Sequence, residues 1–302
     1  MAEIRDARSR VAVVGTGAIG TAVARRLLAG GHEVVVWNRT AGRSSGAVDA
    51  GASAAGSVGE AASSSDLILL TLTDHAAVRD CLDRLDADLS GRTIVALTTG
   101  TADDARDADR RVTALGARYL DAGLQTSPEM IGTGTATILY SGSRAAFEEH
   151  RATLGLLSEP RFVGDAPDAA AIWDLALFGV WYDAQLGLLR ALDTVQAAGI
   201  DVAGFASTAA SQLGHVVSAV PDTAAEVARA DYPRGPADLA EHLVVLRHLI
   251  ELRAGRPLGD GGLAPVADRI ARLIADGHEA EGLTATIGRH RPDGGLEQAA
   301  DA

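Results

Sequence analysis

The stretch Ala169–Ala198, AAAIWDLALFGVWYDAQLGLLRALDTVQAA, separates two parts of the sequence that differ in character. It contains no proline, and as one continuous helix it would be about 45 Å long at 1.5 Å per residue. Its first half is apolar on nearly every face, which predicts burial on nearly every face. Asp174 and Tyr182 interrupt this apolar surface early. We interpret the segment as a helix between two domains and as the position of the chemistry.

Size and composition favour a globular protein with one large domain or two medium ones. The 302 residues suffice for two hydrophobic cores, and the net charge is −13. An acidic chain without a basic cluster is a poor binder of phosphate backbones, and no apolar run reaches the length of a membrane span. The N-terminus lacks the apolar segment of a signal peptide, and Cys81 stands alone. We therefore expect a cytoplasmic protein with no nucleic-acid or membrane partner.

The sequence contains no lysine. This absence excludes Schiff-base catalysis and any lysine acid or base. A GC-rich genome that favours arginine codons would also explain it, but the chemical exclusion holds in either case. His215, His242 and His248 form no pair with the i, i+4 spacing of metal ligands, so we predict no metal site.

A glycine motif near the N-terminus predicts a dinucleotide site. The apolar run Arg10–Val14 leads into GTGAIG, and a helical pattern follows from Thr21 to Leu28. Gly15 permits a tight turn, Gly17 lets the backbone approach a pyrophosphate, and Gly20 lets helix and strand pack closely. The alternative is a fortuitous glycine turn, but strand, glycines and helix stand in the required order.

The residues after the second predicted strand, Glu33–Trp37, favour NADP(H) over NAD(H). An NAD site usually carries Asp or Glu at this point, and here Asn38 takes its place. Arg39 and Arg43 follow, and an arginine pairs with a 2′-phosphate that a carboxylate would repel. The alternative is that both arginines are ordinary solvated charges.

Strands and helices continue to alternate up to residue 163, and only helices follow. Strands are predicted at Asp66–Leu72 and Thr93–Leu97, so loops 71–74 and 98–101 at their carboxyl ends should line the nicotinamide side of a cofactor. Thr101 could equally be a helix N-cap. Further strands are expected at 118–122, 137–140 and 161–163, and helices at 74–85, 103–115, 143–156, 202–220, 236–254, 263–277 and 279–287.

The predicted fold class is α/β, with an N-terminal Rossmann domain, a long interdomain helix and an all-helical C-terminal domain. We expect the Rossmann domain at 1–165, the helix at 166–198 and the helical dimerisation and substrate domain at 199–290. Residues 291–302 should be a flexible tail.

Two side chains of the long helix are candidates for catalysis. Asp174 has apolar neighbours, so its pKa should rise, and a carboxyl group near neutrality can donate a proton or stabilise a cation. Tyr182 lies two turns further on, offset by roughly 80° at about 100° per residue. The alternatives are a structural acid paired with an arginine and a core aromatic whose hydroxyl is satisfied. Because an exposed apolar helix of this length invites aggregation, either the C-terminal helices or a second chain should cover it. We favour the second chain, with the cleft shared between subunits.

The chain resembles the bacterial NADPH-dependent imine reductases of the β-hydroxyacid dehydrogenase superfamily, over all but its two tails. The motifs that carry this resemblance are GTGAIG at 15–20, WNRT at 37–40, LTTGT at 97–101, YLDAG at 119–123, ILYSG at 138–142 and WDLALFGVWYDAQLG at 173–187. The resemblance implies a homodimer that exchanges domains, with each active site between one Rossmann domain and the partner's helices. It also implies that Asp174 and Tyr182 are the catalytic residues.

The motifs and the resemblance together give a set of cofactor contacts. These are Gly15, Thr16, Gly17, Ala18, Ile19, Gly20, Asn38, Arg39, Thr40, Arg43, Thr71, Leu72, Thr73, Val78, Thr98 and Thr99. Substrate contacts are expected from Gln125, Met130, Trp181 and His215. The superfamily's hydroxyacid dehydrogenases use a lysine on the long helix, which this chain lacks, so Asp174 in its place supports imine chemistry.

The predicted reaction is hydride transfer from NADPH to the carbon of a C=N bond, chiefly in cyclic imines or iminium ions. Asp174 would protonate the imine or hold the iminium, and Tyr182 would orient it. Fungal-type reductive aminases carry an asparagine in the 97–100 loop, where this chain reads Leu-Thr-Thr-Gly, which argues against efficient coupling of a ketone with an amine. The alternatives are an NADPH-dependent ketone or hydroxyacid reductase and a non-catalytic NADPH-sensing protein.

Overall fold

The computed structural model describes residues 9–288, so the predicted flexible tail at 291–302 lies outside the described residues. Its N-terminal part is built on one eight-stranded sheet. The strands are β1 Arg10–Val14, β2 Glu33–Trp37, β3 Ser53–Ala54, β4 Leu67–Leu70, β5 Thr93–Leu97, β6 Arg118–Gln125, β7 Thr137–Gly142 and β8 Glu159–Gly164.

The strand order is β3-β2-β1-β4-β5-β6-β7-β8. Every neighbouring pair is parallel except β6 and β7, which run antiparallel. The order reverses between β1 and β4, and ligands of such sheets bind at the carboxyl ends of the strands beside this reversal. This arrangement confirms the predicted Rossmann domain.

Helices lie between most of the strands, and the described chain after β8 contains helices and the loops that join them. They are α1 Ala18–Ala29, α2 Ser45–Val48, α3 Val58–Ser63, α4 His75–Leu82, α5 Ala102–Ala114, α6 Arg144–Leu154, α7 Ala169–Ala197, α8 Val202–Arg229, α9 Leu239–Leu252, α10 Leu263–Ala275 and α11 Ala285–Gly288. The elements β3, α2 and α3 are not among the sequence predictions. The helix expected at 202–220 runs on to Arg229. Pro221 lies inside it and removes one backbone donor, but it does not end the helix.

The two faces of the sheet are both covered, which explains the continuous apolar strands. Along β1, Val11 and Val13 belong to one hydrophobic cluster, while Ala12 and Val14 belong to another. All four side chains are fully buried. Alternate residues of a strand point to opposite faces, so a strand buried on both faces shows no polar alternation.

The described residues form two compact units, and the division falls between Val180 and Trp181, inside α7. The second unit has a small hydrophobic cluster of its own, which includes Tyr232, Leu239 and Ile270. Arg256 donates to the Asp193 carboxylate at 2.7 Å within this unit. The domain limits expected from the sequence stay predictions.

The expected burial of α7 is wrong for the chain taken alone. Only Ala170, Ala171 and Asp174 are buried, whereas Ile172 and Trp173 are exposed. The reason is that the helix offers apolar side chains in every direction, while the rest of the described chain buries only side chains near its start and partly covers its last turns. No helix among residues 9–288 is both long enough and apolar enough to cross a membrane.

Candidate active site at the carboxyl edge of the sheet

The turn after β1 and the first turn of α1 each contain one position that only glycine can occupy. Gly15 has φ +96°, and a Cβ there would lie 2.4 Å from the backbone oxygen of Thr71. A Cβ on Gly20 would lie 2.0 Å from the Gly15 oxygen. Gly17 has open space where its Cβ would be, and it stands at the N-terminus of α1. These positions fit the assigned roles of tight turn, close packing and access for a phosphate.

A cleft of about 320 Å³ opens beside this turn. Of the predicted cofactor contacts, those that line it are Gly15, Gly17, Ala18, Ile19, Gly20, Asn38, Arg39, Thr40, Arg43, Thr71, Leu72 and Thr73. Thr16 is buried beside the cleft, and its backbone N–H donates to Asn38 Oδ1 at 3.2 Å. The residues present therefore fit a dinucleotide.

The predicted contact Val78 does not line the cleft. Val78 is fully buried in the core, and the residues that line the cleft are instead Ala77, Asp80 and Cys81 of α4 and Arg84 in the turn after it. The spacing of these four is that of one helical face, i, i+3, i+4 and i+7, and position 78 points to the sheet. The same periodicity, applied to the helix after β4, would have found them from the sequence. Burial raises the pKa of the Cys81 thiol to about 12.

The far end of the cleft is rich in guanidinium groups. Arg39 and Arg43 are exposed and enter no ion pair with another described residue. Asn38 Nδ2 donates to the Thr40 oxygen at 2.9 Å, which holds the loop between them. An uncommitted arginine can pair bidentately with a phosphate, as a 2′-phosphate site requires.

The loops after β4 and β5 contact each other, although Thr98 and Thr99 do not line the cleft. The Thr98 hydroxyl donates to the Leu72 oxygen at 3.3 Å. Gly100 lies against His75, since a Cβ on Gly100 would come within 2.1 Å of the imidazole. Burial lowers the pKa of His75.

Thr101 forms a capping box with Asp104 at the start of α5, as one of the two sequence interpretations holds.

Asp174 is buried on the first turns of α7, with 1% of its surface exposed. Gln125 Nε2 donates to Asp174 Oδ1 at 2.7 Å, while Oδ2 is buried and has no hydrogen-bond partner among the described residues. Burial raises the pKa of Asp174, and Gln125 and Thr99 offset part of that rise. No arginine of the described chain pairs with this carboxyl group. The alternative that Asp174 is a structural acid paired with an arginine is therefore wrong for the described residues.

Gly123 makes room for Asp174 on the sheet. A Cβ at Gly123 would lie 2.7 Å from Cβ and 2.9 Å from Cγ of Asp174. Gly123 and Gln125 lie on the same face of β6, because side chains alternate along a strand. The glycine leaves space for the acid and the glutamine orients it. Sequence reasoning missed Gly123, since the contact joins residues about fifty positions apart.

A second buried acid, Asp121, lies two residues before Gly123 in β6, on the same face of the strand. Tyr119 donates its hydroxyl proton to Asp121 at 3.0 Å. Burial raises the pKa of Asp121 to about 7, and the charge of Asp174 adds to this rise. Ser141 accepts the Ala170 N–H at 2.9 Å, so polar groups of the sheet anchor the start of α7. Sequence reasoning missed Asp121, although an acid inside an otherwise apolar strand could have identified it.

The remaining predicted site residues are not brought to Asp174 by contacts in the described structure. Met130 is half-buried in a short helical turn of the first unit, Pro128–Met130. In the second unit, Trp181 and Tyr182 are exposed and form an edge-to-face pair with ring centroids 4.9 Å apart. His215 is exposed on α8.

Among residues 9–288 no cluster of histidine, cysteine and acid side chains is suited to a metal ion.

Comparison with known protein families matches nearly the whole chain in two parts. Residues 10–164 match the NAD-binding domain of 6-phosphogluconate dehydrogenase, and residues 166–292 match the C-terminal domain of NADPH-dependent reductive aminase-like proteins. The NADPH-dependent reductive aminase of Aspergillus oryzae is 31% identical over 282 residues, which cover 92% of this chain and 95% of that protein.

Solved structures of a reductive aminase and of an imine reductase are also similar to this chain. A reductive aminase from Aspergillus terreus, in complex with NADPH4, cyclohexanone and allyl amine, superposes with a TM-score of 0.82 at 29% identity. The match covers 94% of this chain and all of the other. An imine reductase from Aspergillus terreus in complex with NADPH4 and a dibenzazepine gives a TM-score of 0.86 at 29% identity, covering 93% of this chain and 99% of that one.

Proposed function

The chain belongs to the family of NADPH-dependent reductive aminases and imine reductases, and from this membership we propose that it reduces C=N bonds, chiefly those of cyclic imines and iminium ions. Asp174 is the acid of the reaction. Tyr182 orients the substrate. The dibenzazepine bound by the Aspergillus terreus imine reductase supports a substrate of this class.

The observation that carries the proposal is the Asp174 carboxyl group. It is almost fully buried, its pKa is raised by that burial, and its Oδ2 has no partner among the described residues. A buried carboxyl group whose pKa is raised is suited to general-acid catalysis. The contact of Thr98 with Leu72 links the loop beside Asp174 to the cofactor cleft. A buried acid at this place has no evident purpose in a protein that only senses NADPH.

The chain's own residues have distinct tasks around the cofactor. The glycine turn and the N-terminus of α1 would hold the pyrophosphate, and Arg39 and Arg43 would hold the 2′-phosphate. When bound, NADPH supplies a hydride to the imine carbon. Asp174 gives its Oδ2 proton to the imine nitrogen, so that the O–H bond breaks as the N–H bond forms. The carboxylate left behind regains a proton from solvent.

The assembly we propose is a homodimer in which each active site is shared. Its support lies in the apolar side chains exposed on α7 and α8: Trp181 is 57% exposed and Val217 is 71% exposed. Contiguous apolar surface of this kind marks a protein interface. The predicted cytoplasmic location stays a prediction.

The activity is tested by following NADPH absorbance with a cyclic imine, 3,4-dihydroisoquinoline, and with 2-ketoacids. We expect turnover of the imine and little with ketoacids. Replacing the acid in Asp174→Asn should lower kcat/KM for the imine about 10²–10⁴-fold, the usual contribution of a general acid. Asp183→Asn, an exposed acid on the same helix, is the matched control.

Two outcomes would overturn the proposal. Faster turnover of ketoacids than of imines would identify a ketone or hydroxyacid reductase. Tight NADPH binding with no turnover of any imine would identify a sensing protein. A further assay with cyclohexanone and allyl amine measures reductive amination, which the loop Leu97–Gly100 leads us to expect to be weaker than imine reduction.

A further inference from the structure

We propose that Gln125 is a positioning residue that keeps the proton of Asp174 on Oδ2, the oxygen from which the substrate takes it. This inference rests on the proposed role of Asp174 as the acid. It adds a residue that acts on the acid and not on the substrate. The direct substrate contact expected of Gln125 from the sequence stays a separate prediction.

The geometry gives the Gln125 amide two acceptors on the same residue. Its Nε2 lies 2.7 Å from Asp174 Oδ1 and 3.3 Å from the Asp174 backbone oxygen. Gln125 ends β6, and Gly123 on the same face holds the acid close to the strand. The amide therefore meets both the side chain and the main chain of Asp174.

The backbone oxygen fixes which end of the amide faces the acid. A carbonyl oxygen accepts hydrogen bonds and cannot donate one, so it requires the NH₂ group of Gln125. A reversed amide would place its own oxygen against that carbonyl. Asp174 Oδ1 consequently always faces an N–H donor, and a proton on Oδ1 would collide with it. When the carboxyl group binds a proton, that proton therefore lies on Oδ2.

The other charged groups near this site do not provide that orientation. On β6, Asp121 is acidic and its charge disfavours a second carboxylate, and Tyr119 is committed to Asp121. Before α7, Asp168 pairs with Arg106 of α5. Thr99 is uncharged and contributes less to the pKa of Asp174 than Gln125 does. Gln125 is thus the stronger of the two donors to Asp174, and its amide donates to Oδ1.

The test compares two substrates that differ in their need for a proton. 3,4-Dihydroisoquinoline takes a proton at nitrogen, whereas the N-methyl-3,4-dihydroisoquinolinium ion is already cationic and takes none. In Gln125→Met we expect the pH-independent kcat/KM for the imine to fall about tenfold, as for one lost hydrogen bond to a charged group. The loss for the iminium ion should be clearly smaller.

The pH profile separates this role from a merely structural one. Gln125 lowers the pKa of Asp174, so its removal should move the alkaline limb of the imine profile to higher pH. Gln125→Glu keeps the shape and replaces the donor with a carboxylate, so the limb should move further. Melting temperatures of both variants show whether they fold, and Gln196→Met on α7 is the surface control.

The outcomes are distinguishable from failure of the proposed function. If Gln125→Met and Gln125→Glu keep the wild-type imine profile while Asp174→Asn loses imine turnover, the positioning role is wrong and the acid stands. If both substrates fall equally with no shift of the limb, Gln125 is only structural. If Asp174→Asn retains imine turnover, the acid itself is wrong.

Discussion

Helix α7 begins with a buried acid and continues with exposed aromatic and aliphatic side chains. Asp174 is 1% exposed, whereas Trp181 and Tyr182 are more than half exposed. This reverses the usual distribution, in which acids lie outside and large apolar groups inside. The buried acid has a space prepared for it by Gly123 and a donor in Gln125. The exposed groups have nothing comparable within the described chain.

The contrast teaches that the two ends of the helix serve different purposes. The first turns are complete within one chain, since the sheet supplies their partners. The exposed part is compatible with a stable protein only if something covers it, and we infer a second copy. Each of the following predictions disturbs one side of this contrast.

The largest effect is expected from Gly123→Ala, which disturbs the buried side. The added methyl would lie 2.7 Å from Asp174 Cβ, so the start of α7 has to move. Overpacking of this kind costs about 1–3 kcal/mol. A displaced acid should lower kcat/KM for imines about 10–100-fold. Steady-state kinetics and thermal melts measure both effects.

Gly134→Ala is the control for that variant, because nothing lies within 4 Å of the added Cβ. It should leave both the melting temperature and the activity close to wild type. If Gly123→Ala behaved in the same way, the position of Asp174 would not depend on this contact.

The next effect is on the exposed side. Val217 projects from α8 with 71% of its surface exposed, near Val216 and Val220. A glutamate there would have to be desolvated in an apolar interface, so Val217→Glu should weaken the dimer at least about tenfold, or 1.4 kcal/mol. Sedimentation equilibrium measures the dissociation constant. The control is Val48→Glu, at an exposed valine on α2, which should leave association unchanged. If Val217→Glu dimerises with native affinity, this face of α8 is not part of the dimer interface.

A smaller effect is expected from Tyr182→Phe. The ring and its edge-to-face contact with Trp181 remain, and only the hydroxyl is lost. We expect kcat/KM for imines to fall about 2–10-fold, as for one neutral hydrogen bond. Tyr140→Phe is the control, since the Tyr140 hydroxyl is buried without a partner among the described residues. Equal behaviour of the two variants would remove Tyr182 from the site.

The smallest expected effect is on the stability of the folded chain, and it concerns the buried acid Asp121. The pKa of Asp121 is about 7 in the folded chain against an ordinary 3.8, because burial disfavours its charge. Between these two pH values the folded state holds a proton that the unfolded state has lost, so stability falls as the pH rises through this window. Asp121→Asn should therefore raise the Tm most at pH 8, raise it less at pH 5 and change it little at pH 3.5, at about 2–4 °C per kcal/mol.

Asp49→Asn on the surface is the control for the pH experiment. An equal gain at pH 5 and pH 8 would mean that ionisation of Asp121 is not the cause.

The parts of the molecule that the sequence predicts correctly depend on local patterns. The strands β1, β2 and β5 and the glycine turn follow from apolar runs and from residues within ten positions of one another. The cofactor cleft follows in turn, because the carboxyl ends of parallel strands meet at one edge of the sheet. Asp174 was recognised because an acid among apolar neighbours is conspicuous in any sequence.

The parts that were missed depend on contacts between distant segments. Gly123 matters only because α7 crosses β6 at that point, and Gln125 faces Asp174 for the same reason. Val78 was named in place of Ala77 because the helical periodicity after β4 was not used to decide which face of α4 meets the cleft. The exposure of α7 depends on what packs against it, which apolar character does not reveal.

The buried Cys81 has a practical consequence. It is the sole thiol of the chain, and with a pKa of about 12 it carries almost no thiolate at neutral pH. Maleimide dyes should therefore leave the native protein unlabelled, so a cysteine introduced on the outer surface of α8 would carry a single fluorophore. Energy transfer between copies labelled with donor and acceptor would then report subunit exchange directly, without removal of any natural residue.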